Sequence, residues 1–487
     1  MASAIALRAE IERSDKMNRR ETKQQINRRD FLHSATAAGA GLALSRGALA
    51  QANSSRKPDD INIALLGAGE QGKVLMEDCR KIPGVRFKAV CDIWPYNRKW
   101  ISRRLRAYRH EHNAYADYRD MLDKEKDLDA VIVATPDFWH ADHTVACLEA
   151  GLHVYCEKEM SNTLESARKM VQAARRTGKL LQIGHQRRSN PRYVFCRDNL
   201  INGAKVLGRI TAVFGQWNRS PSPGRLVPKG FQIDAGTLAR YGYKSMEQFR
   251  NWRWYKGLGG GPIVDLGSHQ IDIYSWFLGA NPKSVIASGR TNFYDKKTHE
   301  WYDTAMAIFE YETSRGDVTA FYQTISSTGS GGYFENFMGS QGSLIISESN
   351  NRCEIYRDRK TAPEWDDWVE GGLLYKQCDC EIECIEKAAE KCIEQCRCPQ
   401  IKEKETGILV DVRETPPPPK YELPVAMNKK YHQAHLENFF NAIYTGGEVE
   451  LNCPAEVGYE TAVAVLKVNE AVEAARKLTF EPDEFAV

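Results

Sequence analysis

Three short segments of the sequence contain residue types that can bind a phosphate, polarise a hydroxyl group and move a proton. The first, GAGEQG at 67–72, lies between an apolar β-type run and a helical segment. Glycines at these spacings permit a tight turn and close backbone approach to a pyrophosphate, and the N-terminus of the next helix offers free N–H groups. The pattern predicts a dinucleotide site contacted by Gly67, Gly69, Gln71 and Gly72.

A carboxylate, Asp92, ends the second β-type run, twenty residues after Gly72. In this position a carboxylate accepts hydrogen bonds from the ribose hydroxyls of the cofactor. It favours NAD, because the 2′-phosphate of NADP would meet a like charge. Arg98 and Lys99 follow closely, so NADP stays open as an alternative.

The second segment runs from Thr135 to Met160 and contains the ends of two consecutive β-type runs, ATP at 134–136 and CEK at 156–158. Parallel strands bring their carboxyl ends to one edge of an open α/β sheet, where ligands bind. A lysine there can donate a hydrogen bond to a substrate hydroxyl and lower its pKa. The predicted cofactor contacts from this edge are Thr135, Pro136, His140, Glu157 and Lys158.

The third segment is GGGPIVDLGSHQIDIYSWFLG at 259–279. A helix over 263–277 would place Asp265, His269 and Asp272 on one face. A histidine near its ordinary pKa suits proton transfer, and a neighbouring carboxylate can orient it. Lys158, His269 and Asp265 are therefore the candidate catalytic residues. The alternative is that His269 is a buried, hydrogen-bonded core residue of an apolar helix.

Several further residues are candidates for the substrate wall. We predict contacts with Arg187, Trp217, Asn218 and Asp272. Arg219 and the aromatic residues Tyr241, Tyr243, Trp252, Trp254 and Tyr255 are also suited to stacking on a sugar. Core packing explains any one of these aromatic residues equally well.

The elements that must position these residues follow from the periodicity of the chain. From Ile61, short β-type runs at 61–66, 86–91, 129–135, 152–156 and 180–184 alternate with helical segments. The fold class is therefore α/β, with a doubly wound parallel Rossmann sheet over 61–185. After about residue 205, period-two alternation predicts an open antiparallel sheet in a second α/β domain, 186–427. The apolar periodicity of 428–487 predicts two helices that pack back on the body of the protein.

The bulk composition excludes several classes of protein. The 487 residues are 42% hydrophobic and 27% charged, with a formal net charge of +3 and no basic stripe. We therefore expect a soluble protein of two domains that binds no nucleic acid. No apolar run reaches the roughly 18 residues that a membrane-spanning helix needs.

The N-terminal region carries a targeting pattern. Arg28 and Arg29 precede a weakly apolar, Ala/Gly-rich stretch that ends in the small-x-small sequence ALA at 48–50. The pattern resembles a twin-arginine export signal over 1–50, followed by a linker at 51–60. We expect export to the periplasm or another extracytoplasmic space. The alternative is a basic N-terminus with a chance arginine pair.

Eleven of the thirteen cysteines fall into two groups. Those at 79, 91, 147, 156 and 196 lie in apolar segments and are expected to be buried. The segment 378–398, inside an insert at about 359–427, has the pattern C-x-C-x3-C-x7-C-x3-C-x-C. In a helix, four of these residues would form one stripe: Cys380, Cys384, Cys392 and Cys396. We expect them either to form disulfides, with each other or with partners such as Cys353 or Cys453, or to ligate a metal or an iron–sulfur cluster. No other metal site is predicted.

Taken together, GAGEQG, CEK and GGGPIVDLGSH resemble the glucose–fructose oxidoreductase / inositol dehydrogenase (Gfo/Idh/MocA) family over about residues 60–355 and 428–480. The resemblance implies a catalytic lysine at Lys158 and an Asp-x-Gly-x-His segment at Asp265, Gly267 and His269. It also implies homo-oligomers that form through the sheet of the C-terminal domain. Glu159 departs from the family, which has proline there, and this puts the orientation of Lys158 in question.

The resemblance and the export signal together constrain the chemistry. Free NAD is scarce outside the cytoplasm, so we expect a cofactor that is bound before export and recycled on the enzyme. The expected activity is NAD(P)-dependent oxidation or reduction of a sugar or polyol hydroxyl. Two alternatives remain: a glycoside hydrolase that oxidises its sugar briefly and eliminates the aglycone, and a sugar-binding module without catalysis.

Overall fold

The computed structural model describes residues 61–349, 352–358, 364–376, 419–426 and 429–487. The export signal at 1–50, the linker at 51–60 and the cysteine segment 378–398 lie outside the described residues. Most of the insert predicted at 359–427 does as well. Within the described parts of the chain, the strands form two sheets.

The first sheet is parallel and has the strand order β3-β2-β1-β4-β5-β6. Its strands are β1 (Ile61–Leu66), β2 (Val85–Cys91), β3 (Asn113–Tyr115), β4 (Ala130–Val133), β5 (His153–Cys156) and β6 (Leu181–Ile183). β1 and β4 are apolar and almost wholly buried, because helices cover both faces of the sheet. The order reverses between β1 and β4, which opens a crevice at their carboxyl ends. The predicted Rossmann fold is confirmed.

Five helices connect these strands. They are α1 (Glu70–Cys79), α2 (Pro95–Ala107), α3 (Tyr118–Lys124), α4 (Asp137–Glu149) and α5 (Leu164–Thr177). α1 and α4 begin at the carboxyl ends of the two central strands, so their N-terminal N–H groups face the crevice. Gly178, at φ 66°, ends α5 in the left-handed conformation.

The second sheet is mixed and mostly antiparallel, with the order β14-β15-β13-β12-β11-β7-β10-β9-β8-β16 among the described strands. Its strands are β7 (Ile210–Asn218), β8 (Pro282–Arg290), β9 (Thr304–Thr313), β10 (Gly316–Ile325), β11 (Tyr333–Gly339), β12 (Gly342–Ile346), β13 (Cys353–Arg357), β14 (Tyr375–Lys376), β15 (Lys420–Glu422) and β16 (Leu478–Thr479). β7 and β10 pair in parallel, and this differs from the expected antiparallel sheet. The parallel pair arises because the chain leaves β7 through the long stretch 219–281 and returns to the sheet at β8.

Alternating burial along β9 shows that one face of this sheet packs on the core while the other is open. The remaining helices are α6 (Pro191–Phe195), α7 (Ala235–Arg240), α8 (Met246–Arg250), α9 (Ser268–Leu278), α10 (Glu364–Glu370), α11 (Gln433–Tyr444) and α12 (Ala455–Ala474). α12 packs between α5 and β8 and so joins the two sheets. The two C-terminal helices were predicted from their apolar periodicity.

The helix expected over 263–277 has two parts. Ile263–Gly267 is a turn of π-helix, and α9 follows without a break. The wider turn changes the angular spacing between residues before and after Gly267. Among the described residues, no helix has both the length and the apolar character needed to cross a membrane.

Candidate active site

A cavity of about 540 Å³ lies where the carboxyl edge of the parallel sheet meets the second domain. It is lined by residues of all three chemical segments found in the sequence. These are Gly67, Gly69, Gln71, Asp92, Thr135, Pro136, His140, Glu157, Lys158, Asp265 and His269. Residues separated by about two hundred positions in the chain therefore share one surface.

The glycine turn has the shape that a dinucleotide needs. A Cβ atom on Gly67 (φ 95°) would lie 2.5 Å from the carbonyl oxygen of Ala134, so no side chain fits. A Cβ on Gly69 would meet nothing within 4 Å, which leaves the backbone open toward the cavity. Gly72 does not line the cavity; a Cβ there would lie 2.0 Å from the Gly67 carbonyl oxygen, so it permits α1 to pack on the turn. This geometry fits a pyrophosphate at the start of α1.

Asp92 supports the glycine turn and faces the cavity. Its Oδ2 accepts hydrogen bonds from the Ala68 N–H at 2.8 Å and from Asn97 Nδ2 at 3.1 Å, and its Oδ1 accepts one from the Trp94 N–H at 2.7 Å. Arg98 turns its guanidinium to the Asp92 carbonyl oxygen. Asp92 thus lines the cavity with a carboxylate that already accepts three hydrogen bonds from the protein, and its contact with the cofactor ribose stays a prediction.

His140 connects the two strand ends of the cofactor edge. Its Nδ1 lies 2.7 Å from the Glu159 carbonyl oxygen, and its Nε2 lies 2.7 Å from the Thr135 carbonyl oxygen. Burial lowers the pKa of His140 to about 4. The ring is thus neutral and donates to one carbonyl at a time. The Thr135 hydroxyl lies 3.0 Å from Nδ1 of His143, which is on the same helix as His140.

Gln71 links the glycine turn to the second strand end and to the C-terminal region. Its Nε2 donates to Glu157 Oε1 at 2.9 Å and lies 3.0 Å from His432 Nε2. His432 and Tyr431, just before α11, also line the cavity.

Lys158 projects from the end of β5 toward the second domain. Its Nζ donates to the backbone carbonyl oxygen of Asp265 at 2.5 Å. The Lys158–Glu159 peptide is cis. An ammonium group has three N–H donors, so two remain for a ligand in the cavity.

His269 is buried and neutral. Burial first, and then the positive charge of Lys158, lower its pKa well below the ordinary value. Its Nδ1 is a buried atom with no hydrogen-bond partner among the described residues, and its ring lies 5.4 Å from that of Trp217. His269 lines the cavity, and a neutral imidazole can accept a proton from a bound hydroxyl on a ring nitrogen that reaches it.

The Asp265 carboxylate does not hydrogen-bond His269, so the expectation that it orients the imidazole is wrong. Arg253 Nε donates to Asp265 Oδ1 at 2.9 Å, and Arg219 lies 3.7 Å from Oδ2. Burial opposes the charge, but Arg253 and Lys158 hold the pKa of Asp265 well below its usual range. Asp265 therefore accepts a hydrogen bond from Lys158 through its backbone carbonyl and pairs with the two arginines through its carboxylate.

An aromatic platform forms the wall beside His269. Trp217 and Tyr333 stack with centroids 4.5 Å apart and an interplanar angle of 20°. Glu348 lines the same wall and accepts hydrogen bonds from Gln186 Nε2 at 3.1 Å and from Arg187 Nε at 2.9 Å. Stacked rings beside a carboxylate suit the apolar face and the hydroxyls of a sugar.

Three of the predicted substrate residues lie behind the cavity wall. Arg187 is fully buried in an ion pair with Glu335 and Glu348. Asn218 donates to the Ser330 carbonyl oxygen at 2.8 Å. These contacts occupy both side chains, so neither lines the cavity.

Asp272 is the third of these residues. It pairs with Arg188 at 2.7 Å and accepts a hydrogen bond from the Thr461 hydroxyl at 2.9 Å. Asp265 and His269 line the cavity but Asp272 does not, so the expected face shared by all three does not exist. Asp272 faces α12 instead.

The sequence also left several cavity residues unassigned. They are Asp137, Arg225, Arg250, Arg253, Tyr333, Glu348, Tyr431 and His432. Burial raises the pKa of Asp137 to about 7. Asp137 directly follows Thr135-Pro136, so its position at a strand end was a usable signal. Of the five aromatic residues predicted for the substrate wall at 241–255, Tyr241, Tyr243, Trp252 and Trp254 line the cavity and Tyr255 does not.

Comparison with known proteins is consistent with this architecture. Residues 61–185 match the family model described as an oxidoreductase family with an NAD-binding Rossmann fold, and residues 235–345 match the GFO/IDH/MocA C-terminal domain. The prediction of NAD as the cofactor is confirmed by the first match. Among solved structures, a levoglucosan dehydrogenase in complex with NADH and L-sorbose is similar at a TM-score of 0.61 and 16% identity, covering 88% of this chain and 100% of the other. That likeness shows the fold.

Three curated relatives have similar sequences. The uncharacterized oxidoreductase YrbE of Bacillus subtilis is 25% identical over 47% of this chain and 57% of its own length. An inositol 2-dehydrogenase of Rubrobacter xylanophilus is 30% identical over 47% of this chain and 55% of its own length. A glycosyl hydrolase family 109 protein of Shewanella baltica is 31% identical over 32% of this chain and 38% of its own length. The matches thus span about half or less of each relative. Residues 61–185 and 235–345 are thus similar to the two domains of the Gfo/Idh/MocA family of NAD-binding oxidoreductases, and the matched part of the inositol 2-dehydrogenase agrees with this.

Proposed function

We propose that this protein is an NAD-dependent oxidoreductase that acts on a hydroxyl group of a sugar or polyol. One observation carries the proposal: Lys158 and His269 line the same cavity as the glycine turn, with the Trp217–Tyr333 platform beside His269. The names of the relatives agree in substrate class, since one is an inositol 2-dehydrogenase and one structural neighbour is a levoglucosan dehydrogenase.

The two side chains divide the proton chemistry between them. Lys158 donates a hydrogen bond to the reacting hydroxyl and stabilises the developing alkoxide. His269 accepts the hydroxyl proton on a ring nitrogen and returns it in the reverse direction. The bound nicotinamide supplies the redox chemistry by accepting or returning a hydride. The low pKa of His269 keeps the ring unprotonated at neutral pH, but it also makes the ring a weaker base than a histidine at its ordinary pKa.

The substrate wall is the platform of Trp217 and Tyr333. The ring face of Trp217 packs against the C–H groups of a sugar, and Glu348 accepts a hydrogen bond from one of its hydroxyls. Gln186 and Arg187 fix the Glu348 carboxylate from behind, so it is oriented before the substrate arrives.

The twin-arginine pattern adds location and cofactor retention to the proposal. The protein is exported in folded form to an extracytoplasmic space, and its cofactor stays bound while two sugars are oxidised and reduced in turn. Replacing both Arg28 and Arg29 with lysine tests the proposed export. The wild type is expected in the periplasmic fraction and the double variant in the cytoplasm. Equal distribution of the two proteins would overturn it.

A second candidate activity is glycoside hydrolysis by transient oxidation, elimination of the aglycone and return of the hydride. The similarity to a glycosyl hydrolase family 109 protein favours it specifically. It requires the same Lys158 and His269 and the same retained cofactor, and it leaves no net change in redox state.

One experiment separates these activities. The mature protein is purified without added cofactor, assayed for bound dinucleotide, and offered sugars, polyols and aryl glycosides. Alternating NADH formation and loss with free sugars supports the oxidoreductase. Aglycone release without net redox change supports the hydrolase. A protein that binds no dinucleotide, as purified or after reconstitution, is a binding module and overturns both.

The open face of the second sheet supports a homo-oligomer. Ile286, Met306 and Ile308 lie on neighbouring strands β8 and β9 and are 44%, 41% and 42% exposed. Adjacent exposed apolar side chains on a flat sheet face are unusual in a monomer. A second copy packed against this face would bury them.

A further inference from the structure

Residues 225–255, here called the cover segment, belong to the second domain but pack on the Rossmann domain. Phe231 contacts Tyr96 edge-on at a centroid distance of 4.9 Å, and Tyr243 contacts Phe138 in the same way at 5.6 Å. These residues form part of a hydrophobic cluster, separate from the two larger cores, that contains side chains from both domains.

Hydrogen bonds hold the cover segment at the same places. Trp94 Nε1 donates to the Phe231 carbonyl oxygen at 2.6 Å, and Trp139 Nε1 donates to the Tyr241 carbonyl oxygen at 3.2 Å. The Tyr241 hydroxyl donates to Asp117 Oδ2 at 3.2 Å. The segment is therefore attached before α2, at the start of α3 and within α4, on more than one side of the crevice.

The cavity passes beneath this attachment. Gly69 and Asp92 line it from the Rossmann domain, while Tyr243, Phe249 and Arg250 line it from the cover segment. A dinucleotide seated on the glycine turn, with its ribose at Asp92, would thus have protein on both sides. Its release would therefore break contacts on both sides.

Two arginines of the cover segment point to what is held there. Arg225 Nη1 lies 3.7 Å from Oε1 of Glu70, the first residue of α1. Burial and the neighbouring Arg253 lower the pKa of Arg225, and burial and Arg225 lower the pKa of Arg250. Arg225, Arg250 and Arg253 thus bring like charges together at the cavity wall, with Arg225 next to the first residue of α1, and a bound anion would relieve their repulsion.

We propose that the cover segment is a clamp for the dinucleotide, in which Arg225 and Arg250 bind the pyrophosphate from the side opposite the glycine turn. The aromatic contacts with Trp94, Tyr96, Phe138 and Trp139 keep the clamp closed and slow cofactor release. This inference rests on the proposed function, because it assumes that NAD occupies the cavity. It supplies the physical reason for a cofactor that stays through many turnovers.

The test measures binding rather than activity. Cofactor-free mature protein is titrated with adenosine, ADP and ADP-ribose by calorimetry, and NADH release is followed by its fluorescence. Arg225→Gln and Arg250→Gln are compared with Arg240→Gln, which removes an exposed arginine of the same segment that does not line the cavity. Both test variants are expected to bind ADP and ADP-ribose about 10- to 100-fold more weakly and adenosine nearly unchanged, because only the phosphates meet a guanidinium.

The outcomes distinguish failure of the clamp from failure of the proposed function. Wild-type protein that binds no ADP-ribose overturns the proposed function as well. Wild-type protein that binds, with all three variants equal to it, overturns the clamp alone. Variants that lose affinity only for a sugar acid assign the arginines to an anionic substrate and also overturn the clamp. Because Arg250 lies over the Trp94 ring at 4.6 Å, Arg225→Gln decides the result if Arg250→Gln fails to fold.

Discussion

Lys158 Nζ donates a hydrogen bond to the backbone carbonyl oxygen of Asp265, four residues before His269. One bond thus ties the end of a Rossmann strand to the turn that carries the histidine of the other domain. Because the acceptor is a backbone atom, the position of Lys158 depends on the π-helical turn rather than on the Asp265 side chain. The two proton-handling groups are fixed relative to each other before substrate binds.

The first prediction concerns His269 as the base. Replacing His269 with Asn should lower the rate of hydroxyl oxidation by about 10²- to 10⁴-fold, because proton transfer loses its acceptor. NADH affinity, measured by fluorescence titration, should stay within about twofold, since the glycine turn is untouched. His112→Asn is the control, because His112 does not line the cavity. Full activity of His269→Asn would assign the proton to another group.

The second prediction concerns the choice of cofactor. Asp92→Ser removes the carboxylate from the ribose position and weakens the support of the Ala68 N–H. The Kd for NAD should rise about tenfold, while the Kd for NADP changes less, because a repulsive charge is lost at the same time. Asp123→Ser, on the exposed end of α3, should leave both constants unchanged. An unaltered ratio of the two constants would contradict a role for Asp92 in discrimination.

The Rossmann half of this fold could be predicted because five of its six strands carry their own apolar run, whereas the short β3 (Asn113–Tyr115) is largely exposed and was not predicted. The glycine turn, Asp92 and Lys158 lie at strand ends, so the sheet places them without further information. Two kinds of feature could not be predicted. The ion pairs of Arg187 and Asp272 join residues up to 161 positions apart, so no local pattern separates a buried arginine from a substrate ligand. The contributions of Arg225 and His432 depend on how distant segments pack over the crevice.

The third prediction follows from the burial of Asp272. Asp272→Asn should lower the free energy of unfolding by about 3–5 kcal/mol, because Arg188 then keeps an uncompensated buried charge. Chemical denaturation measures this loss. The KM for substrate should change little, since Asp272 does not line the cavity. A large rise in KM at unchanged stability would instead indicate that Asp272 contacts the substrate.

The fourth prediction concerns the open sheet face. Ile308→Glu places a charge at the centre of the proposed contact, opposite Ile286 on β8. If two copies pack there, size-exclusion chromatography with light scattering should show a shift from oligomer to monomer. Arg103→Glu, on the exposed surface of α2, introduces the same side chain elsewhere and should leave the mass unchanged. A wild-type protein that is already monomeric would refute the interface.

The fifth prediction concerns Glu159, which stands where the family has proline. Burial raises the pKa of Glu159 to about 8, above the usual value for a glutamate. One carboxylate oxygen accepts a hydrogen bond from the Met160 N–H at 2.8 Å, and the other has no partner among the described residues. The folded state therefore holds a proton on Glu159 that the unfolded chain releases.

The sign of the pH effect follows from this difference. A carboxyl group whose pKa is raised on folding favours the folded state at low pH, and that contribution is lost as the pH rises from about 4.5 to about 8. Asp137, with a pKa of about 7, acts in the same direction. Buried histidines such as His140, with a pKa of about 4, act in the opposite direction, but only below about pH 6.5. Stability should therefore fall between pH 6.5 and 8, where Glu159 and Asp137 lose their protons in the folded state.

Glu159→Gln keeps the acceptor for Met160 and removes the ionisation. It should raise the free energy of unfolding at pH 8 by about 1–3 kcal/mol and leave it nearly unchanged at pH 5, which flattens the decline seen in the wild type. Thermal unfolding at several pH values measures the effect, and Glu149→Gln, on the exposed end of α4, is the matched control. An unchanged slope between pH 6.5 and 8 would mean that Glu159 is already ionised in the fold, with its charge balanced by Lys158.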